Sequence, residues 1–525
     1  MEEALTPDPG LGALVTEFVA DRDALIRRYP LSKSSKGIQR SISLHQDWLD
    51  RIERIPFDKL SFDGQIDWIL FRNHLQWGIQ TLDRTNGDAA KLSELLPFSQ
   101  IIVDLESDRM AMISPEPEAT AAKLDQLADE IPHAVGKMND ASVVAWIFEL
   151  KEAVGRWRAF YSGYDPVLDW WIKEPLVRVM SAFEELKDTT TEGNTIPGHP
   201  FGREALEKDL AFEMLPYSPE ELIEIGEREY AWCLEEMKKA SGELGYGDDW
   251  KAAMESVKRT CVPPGGQPAM VRDLALEAIA FVDELVTVPE LAKETWRMEM
   301  MTPAQQKVNP FFLGGESIIV SYPTDSMTHQ EKLMSMRGNN PNFSRATVQH
   351  ELIPGHHLQM YMTARHRPYR QLFSTPFWIE GWTLYWELLL WELGFPRTPA
   401  ERIGMLFWRM HRCVRVSFSL RFHLGELSTA ECVEILVDRV GHERANAEGE
   451  VRRSFNGLYP PLYQAAYLIG GLQFRSISRE LRAKGWSYRA VHDEMLKQNE
   501  MPPAMMRAAL LGEPIAPQPP VWRFE

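Results

Sequence analysis

Two imidazoles and a carboxylate brought together can bind a transition metal, and the stretch VQHELIPGHHLQMY at 348–361 sets three histidines and a glutamate close in sequence. On a regular helix, histidines four residues apart share a face and reach one ion, with a glutamate after the first as base: the HExxH pattern. Here Glu351 follows His350, but position 354 is proline. Pro354 offers no N–H to the carbonyl of His350 and its ring crowds that carbonyl, so the helix must kink or bulge. Gly355 permits backbone angles that other residues avoid. Extruding Pro354 and Gly355 as a two-residue bulge brings His356 to the place of the second ligand. His357 faces the same side of an unbroken helix, roughly 10 Å further along, and is the alternative ligand.

A third ligand is expected from FWIEGWTLYWELLLWE, where Glu380 follows His356 by 24 residues in an apolar, helix-forming run. A buried carboxylate needs a partner, and a metal supplies one. Glu387, two turns on along the same face, can orient a ligating histidine. His350, His356 and Glu380 are thus expected to hold one ion per chain. The donor set suits zinc, though iron, cobalt and manganese accept similar ligands. Taken singly, a buried His or Glu is more often satisfied by a hydrogen bond; the combination with the proline-glycine break points to a metal. His411, His442 and His492 suggest packing alone.

Those side chains need elements to hold them. Apolar residues recur at three- and four-residue spacing along most of the chain, the mark of amphipathic helices, and the expected fold is mainly α. SPEELIEIGEREYAWCLEEMKKAS carries a capping box at Ser218 and Glu221 with Pro219 at the first helical position, and a second box, Ser428 to Glu431, opens STAECVEILVDRV. KDTTTEGNTIPGHPFG (187–202) and CVPPGGQP (261–268) are breaks by their Thr, Gly and Pro content. The first divides an N-terminal helical region, 1–200, from a helical region at 201–525 that carries the metal site. Ser317–Tyr322 is β-branched and aromatic between glycine and proline, so a small strand or hairpin is expected near 316–322. The proline-rich end, GEPIAPQPPVWRFE, is expected to pack as an extended arm.

At 525 residues the chain exceeds the size of one compact core, and two lobes are expected. With 57 basic against 76 acidic residues the net charge is −19, which argues against a nucleic acid or an anionic membrane as partner and suits a small neutral or cationic substrate. No uncharged run approaches the ~18 to 20 residues that span a bilayer; even LYWELLLWELGF holds two glutamates. The four cysteines form no CxxC pair, and MEEALTPDPG lacks the basic-then-apolar pattern of a secretion signal, so a cytoplasmic location is expected. Oligomeric state is left open.

HELIPGHHLQ followed by EGWTLYWE resembles the signature of the domain of unknown function 885 family, largely uncharacterised bacterial proteins with the pattern HExxPGHH and then EGWxLYxE. The likeness extends through YSPEELIEIGEREYAWCLEEM, YPPLYQAAYLIGGLQF and YRAVHDEMLKQNEMPPAMM, over roughly residues 210 to 512. That family is in turn similar to helical zinc peptidases of the gluzincin type, such as angiotensin-converting enzyme and thimet oligopeptidase, whose glutamate ligand lies about two dozen residues beyond the second histidine. The resemblance implies a gluzincin-like helical architecture with a deep cleft between two lobes and a short strand, here Ser317–Tyr322, that pairs with extended substrate. It also implies His350, His356 and Glu380 as ligands with one position left for water, Glu351 as general base, and a downstream tyrosine and histidine as further catalytic groups. Tyr467 and His423 take those places, although the Asp and Gly that precede the family's histidine are Ser419 and Arg421 here. Tyr463, one turn from Tyr467, and Arg452 and Arg453, after Glu450, are candidates to hold substrate, the arginines gripping a carboxylate bidentately.

The expected function is a zinc-dependent hydrolase cleaving an amide bond of small peptides, of oligopeptidase, carboxypeptidase or dipeptidase type. A metal-dependent hydrolase of a non-peptide amide or ester would use the same groups around a different pocket. A non-catalytic binding protein retaining the fold would need no base, and Glu351 argues against it.

Overall fold

Helix starts are written in the sequence as caps. Ser218 accepts from the backbone N–H of Glu221 and the Glu221 side chain accepts in return, with Pro219 at the first helical position, so helix α1 (Pro219–Glu243) begins there. The box at Ser428 and Glu431 likewise opens the helix Thr429–Ile435. The computed structural model describes residues 11–138, 141–190, 196, 198–306, 312–457 and 459–524. Helix makes up 73% of the structure, and the only sheet among the described residues has three short strands: the fold is mainly α.

Two compact units divide the chain. The first comprises 1–59 and 71–199; the second comprises 60–70 and 200–525. The first packs helices such as Pro117–Glu130, Ala141–Tyr161 and Pro166–Thr190 around Leu124, Leu127, Leu150 and Val179. The break expected at 187–202 begins later than its composition suggests, because helix continues to Thr190; residues 191–195 and 197 lie outside the described residues.

The second unit carries the chemistry. Strand β1 (Arg297–Met300) pairs parallel with β3 (Ser317–Val320), and β2 (Phe312–Leu313) pairs antiparallel with β3, in register Phe312↔Val320 and Leu313↔Ile319. The hairpin expected near 316–322 is therefore present, but its strand β3 is central, between β1 and β2, and residues of both β2 (Phe312, Leu313) and β3 (Ile319) line the cavity described below.

Helix α2 (Pro341–Glu351) is capped by Asn340 and α3 (His356–Thr363) follows it. Helix α4 (Pro376–Glu392) starts at Thr375, which accepts from the N–H of Phe377, and is buried on nearly every side, as its apolar composition requires. Helix α5 (Pro399–His423) opens on a Thr398–Glu401 capping box; α6 (Arg444–Phe455) and α7 (Tyr463–Ala483) complete the surroundings. The C-terminal arm runs without helix past α1, where Arg523 reaches the carbonyl of Pro216 at 2.6 Å and Glu221 at 2.7 Å.

Candidate metal centre

Helix α2 ends on the residues that matter, His350 and Glu351. Pro354 cannot donate to the carbonyl of His350, and the residue before a proline avoids helical angles, so the helix stops early: Leu352 takes φ −106°, ψ −105°, and α3 begins only at His356. The interruption spans Leu352–Gly355, four residues rather than the two expected, and includes a cis Ile353–Pro354 bond. Its backbone groups find partners. Gly355 N–H donates to Gln349 O at 3.1 Å, and Trp382 Nε1 donates to Pro354 O at 2.9 Å. A side chain at 355 would overlap the carbonyl of His350, so the tight return needs glycine.

The detour brings ligand atoms of His350, His356 and Glu380 within 4.8 Å of one another. Nε2 of His350 and Nε2 of His356 lie 3.5 and 3.4 Å from Glu380 Oε2. Bonds of about 2.0 to 2.1 Å in a tetrahedron space ligand atoms about 3.4 Å apart, which both histidine–glutamate separations match. Each imidazole is also held by its other nitrogen. His350 Nδ1 donates to Glu387 Oε1 at 2.7 Å, and His356 Nδ1 donates to Gln359 Oε1 at 3.2 Å. Gln359 is itself fixed, because its Nε2 donates to the carbonyls of Trp378 at 3.1 Å and Ile379 at 3.3 Å. Both rings are thus turned so that Nε2 points toward Glu380, the atom each would offer to a metal. The Thr383 hydroxyl, 3.2 Å from His350 Nε2, also bonds the Glu380 carbonyl at 3.0 Å, where its proton is accepted.

The carboxylate of Glu380 is 4% exposed; Tyr463 donates to Oε1, while Oε2 is buried with no hydrogen-bond donor among the described residues. Such an orphaned oxygen is costly unless a cation faces it. The electrostatics agree. Burial lowers the pKa of His350, but the neighbouring carboxylates of Glu380 and Glu387 override it and hold the imidazole at about 9; burial raises Glu380, but the two histidines at ion-pair distance outweigh it and hold that carboxyl well below the usual range. The cluster favours positive charge, and its residues fit a divalent transition metal.

Around it lies a cavity of about 330 Å³, lined from the second unit alone by strand and glycine residues 312–315, by Glu351, by Trp408, Arg412, Arg415 and Arg453, and by Tyr459, Tyr463 and Tyr467, among others. Glu351 is 8% exposed and faces Gly314, whose missing side chain leaves room for its carboxylate Oε2. Tyr467 stacks on His350, ring centroids 6.1 Å apart, and accepts from Arg453 Nη2 at 3.5 Å. A larger hollow of about 700 Å³ lies in the first unit, but among the described residues the only group of potential metal ligands is the one at His350.

Three sequence candidates fall elsewhere. His357 turns away from the cluster, its Nδ1 3.0 Å from the carbonyl of Glu316 and its Nε2 2.9 Å from that of Ala292, so it orders backbone rather than serving as the alternative ligand. His423 does not line the cavity: it ends α5, 11 residues and roughly 16 Å beyond Arg412, packed against Phe201, Phe422 and Phe455. Burial there lowers its pKa to about 4, so it is a neutral aromatic in a core. Arg452 is likewise not in the lining, whereas its neighbour Arg453 is. Four residues escaped sequence reasoning. Gln359, three residues after His356 on the same helix, had a positional signal; Gly314, Arg412 and Arg415 had none that separated them from other loop glycines and helix arginines.

The sequence profile of a family described as bacterial protein of unknown function (DUF885) matches residues 28–510. No match was found among curated proteins. Two solved structures share the fold. One, described as a "putative lipoprotein of unknown function" from Shewanella oneidensis, has TM-score 0.70 and 17% identity over 95% of this chain and 98% of its own. The other, a "putative lipoprotein" from Colwellia psychrerythraea, has TM-score 0.63 and 14% identity over 96% and 98%. These descriptions overturn the cytoplasmic location expected above. Four unpaired thiols do not fix a compartment, and the N-terminus used for that expectation, residues 1–10, lies outside the described residues. No helix among the described residues is long and apolar enough to cross a membrane. With the HExxPGHH and EGWxLYxE segments and 483 contiguous residues (28 to 510) inside the match, the chain belongs to the DUF885 family of bacterial proteins of unknown function.

Proposed function

We propose that this chain is a metal-dependent hydrolase cleaving an amide bond of small peptides, with zinc held by His350, His356 and Glu380. The observation that carries the reading is the pair of imidazoles whose Nε2 atoms lie 3.5 and 3.4 Å from a buried, otherwise undonated carboxylate oxygen, with Glu351 beside them in a cavity. The likeness of HELIPGHH and Glu380 spacing to helical gluzincins supports it, as does the burial, which keeps folded proteins out.

When bound, zinc would polarise the amide carbonyl and lower the pKa of a water to about 7. Glu351 takes the proton of the attacking water at its carboxylate and passes it to the amide nitrogen as the C–N bond breaks, so that an acid and an amine leave. Gly314 leaves space for that carboxylate to face the cluster. Tyr463, which hydrogen-bonds Glu380, and Tyr467, against His350, are the hydroxyls available to a developing oxyanion.

The test is metal analysis of the purified protein, followed by incubation with a peptide pool. Close to one equivalent of zinc, cleavage lost on chelation and restored by zinc, and a fall of about 10²- to 10⁴-fold in Glu351→Gln at unchanged metal content are expected. If neither native nor added zinc binds, the proposal fails. Zinc bound at these residues with every peptide left intact would instead point to a non-peptide amide or ester.

A further inference from the structure

Three arginines line the cavity, and their charges are not equally matched. Arg412 donates from Nη2 to Glu387 at 3.3 Å, and Arg415 holds Glu450 through Nε at 2.7 Å and Nη2 at 2.6 Å. Arg453 has no carboxylate within ion-pair distance among the described residues; it touches only phenols, Nε donating to Tyr459 at 3.3 Å and Nη2 to Tyr467 at 3.5 Å. Each arginine keeps N–H groups without a partner among the described residues, Nε in Arg412 among them, but in Arg412 and Arg415 the charge itself is matched by a carboxylate. Nη1 of Arg453 makes no hydrogen bond among the described residues, and Nη1 of Arg415 is buried without a partner on a side chain 2% exposed. Both residues border the same ring: Arg415 Cζ lies 4.5 Å from the centroid of Tyr467. Arg453 is half-buried in the cavity lining with no carboxylate beside it, and a cation so withdrawn from water is costly unless an anion arrives with the ligand.

Position narrows the anion. Tyr467, which Arg453 touches, stacks on His350, and Tyr463, whose ring is 5.7 Å from that of Tyr467, bonds Glu380. Arg453 is thus one tyrosine contact away from the metal ligands, and one residue of extended peptide spans about 3.5 Å. A guanidinium fork suits a planar carboxylate bidentately.

We propose that Arg453, with Arg415 behind it, binds the free α-carboxylate at the C-terminus of a short peptide, and that the bond cleaved lies within one or two residues of that end. The substrate class is thereby C-terminal-acid peptides, cleaved as a carboxypeptidase or dipeptidase would. This rests on the hydrolase reading above and adds its specificity; the reaction remains hydrolysis, with water adding to the acyl carbon and its proton passing to the departing amine.

The experiment compares a tripeptide pool bearing free C-terminal carboxylates with the same pool amidated, for the zinc-loaded protein and for Arg453→Gln and Arg453→Lys, with melting and metal content checked for each. In the unaltered protein the free acids should be cleaved with kcat/KM about 100-fold above the amides, chiefly through KM. Arg453→Gln should collapse that ratio toward one, and Arg453→Lys should retain part of it. Equal cleavage of acids and amides by the unaltered protein overturns the proposal. If no peptide is cleaved at all, the peptide-hydrolase reading fails, and calorimetric binding of the two pools decides the carboxylate site separately: acid-selective binding lost in Arg453→Gln supports it, and equal or absent binding overturns it.

Discussion

Gln359 shows how a residue that touches no ion can govern one. Its side-chain amide is pinned by two backbone carbonyls, so Oε1 must face His356 Nδ1, and that imidazole must present Nε2 to Glu380. Gln359→Leu removes the acceptor while keeping the bulk, and zinc affinity should weaken about 10- to 100-fold, as should that of Glu387→Gln at the other histidine. Competition titration with a chromogenic chelator measures both, and affinities within twofold of the parent would rule out this positioning role. Gly314 acts on the base instead. An alanine there would overlap Glu351 Oε2 and come within 3.0 Å of His356 Cδ2. The carboxylate has to rotate away, so Gly314→Ala should lower kcat about 100-fold while the protein still binds zinc. A variant with full turnover would show that Glu351 works from another rotamer.

At the level of elements, the cluster depends on how closely α4 and α7 approach. Gly381 and Gly470 meet backbone to backbone, a built Cβ at 381 lying 2.8 Å from Gly470 Cα, and this contact brings Tyr463 to Glu380 across the two helices. Gly470→Ala should push the helices apart, cost about 1 to 3 kcal/mol of stability and weaken zinc binding together with it. Unchanged melting would mean that the helices give way cheaply. The start of α4 carries a pH dependence of its own. Glu213 is buried beside Thr375, its cap, and burial, moderated by the Thr375 hydrogen bond and reinforced by Asp209, raises its pKa to about 8. Between the ordinary carboxylate range and pH 8 the folded chain keeps a proton that the unfolded chain has lost, so this group makes stability fall as pH rises through that window, by up to about 1.4 kcal/mol per unit. Glu213→Gln should therefore melt like the parent near pH 4 and above it at pH 8.5; equal melting at both would refute a buried, protonated Glu213. Helix starts of this kind were legible from Ser218 and Ser428 because a cap is a local contact. The order of the strands was not: it places β3 between β1 and β2 through pairing that no window around 317–322 contains.

Across the whole molecule, what could be inferred from sequence tracks the range of the interactions involved. The proline-glycine break, the second histidine and the distant glutamate follow from spacing along the chain. The histidine at 423 resembled a catalytic group by motif but lies a long way down α5, and the unmatched charge of Arg453 emerged only once Glu387 and Glu450 were seen to claim its two neighbours. The same dispersal predicts how the chain responds to metal. Ligands at 350, 356 and 380 come from three helices of the second unit and converge only when it is folded. Binding then counts as folding free energy, about 2.7 kcal/mol at a free zinc concentration 100 times Kd and about 4.1 kcal/mol at 1,000 times Kd. For a unit of 337 residues (11 from 60–70 and 326 from 200–525) that amounts to a rise in Tm of roughly 5 °C. Calorimetry of the full chain with zinc and with chelator should show this shift, and His356→Ala combined with Glu380→Gln should abolish it. A shift of equal size in the double variant would mean that the stabilising ion sits elsewhere.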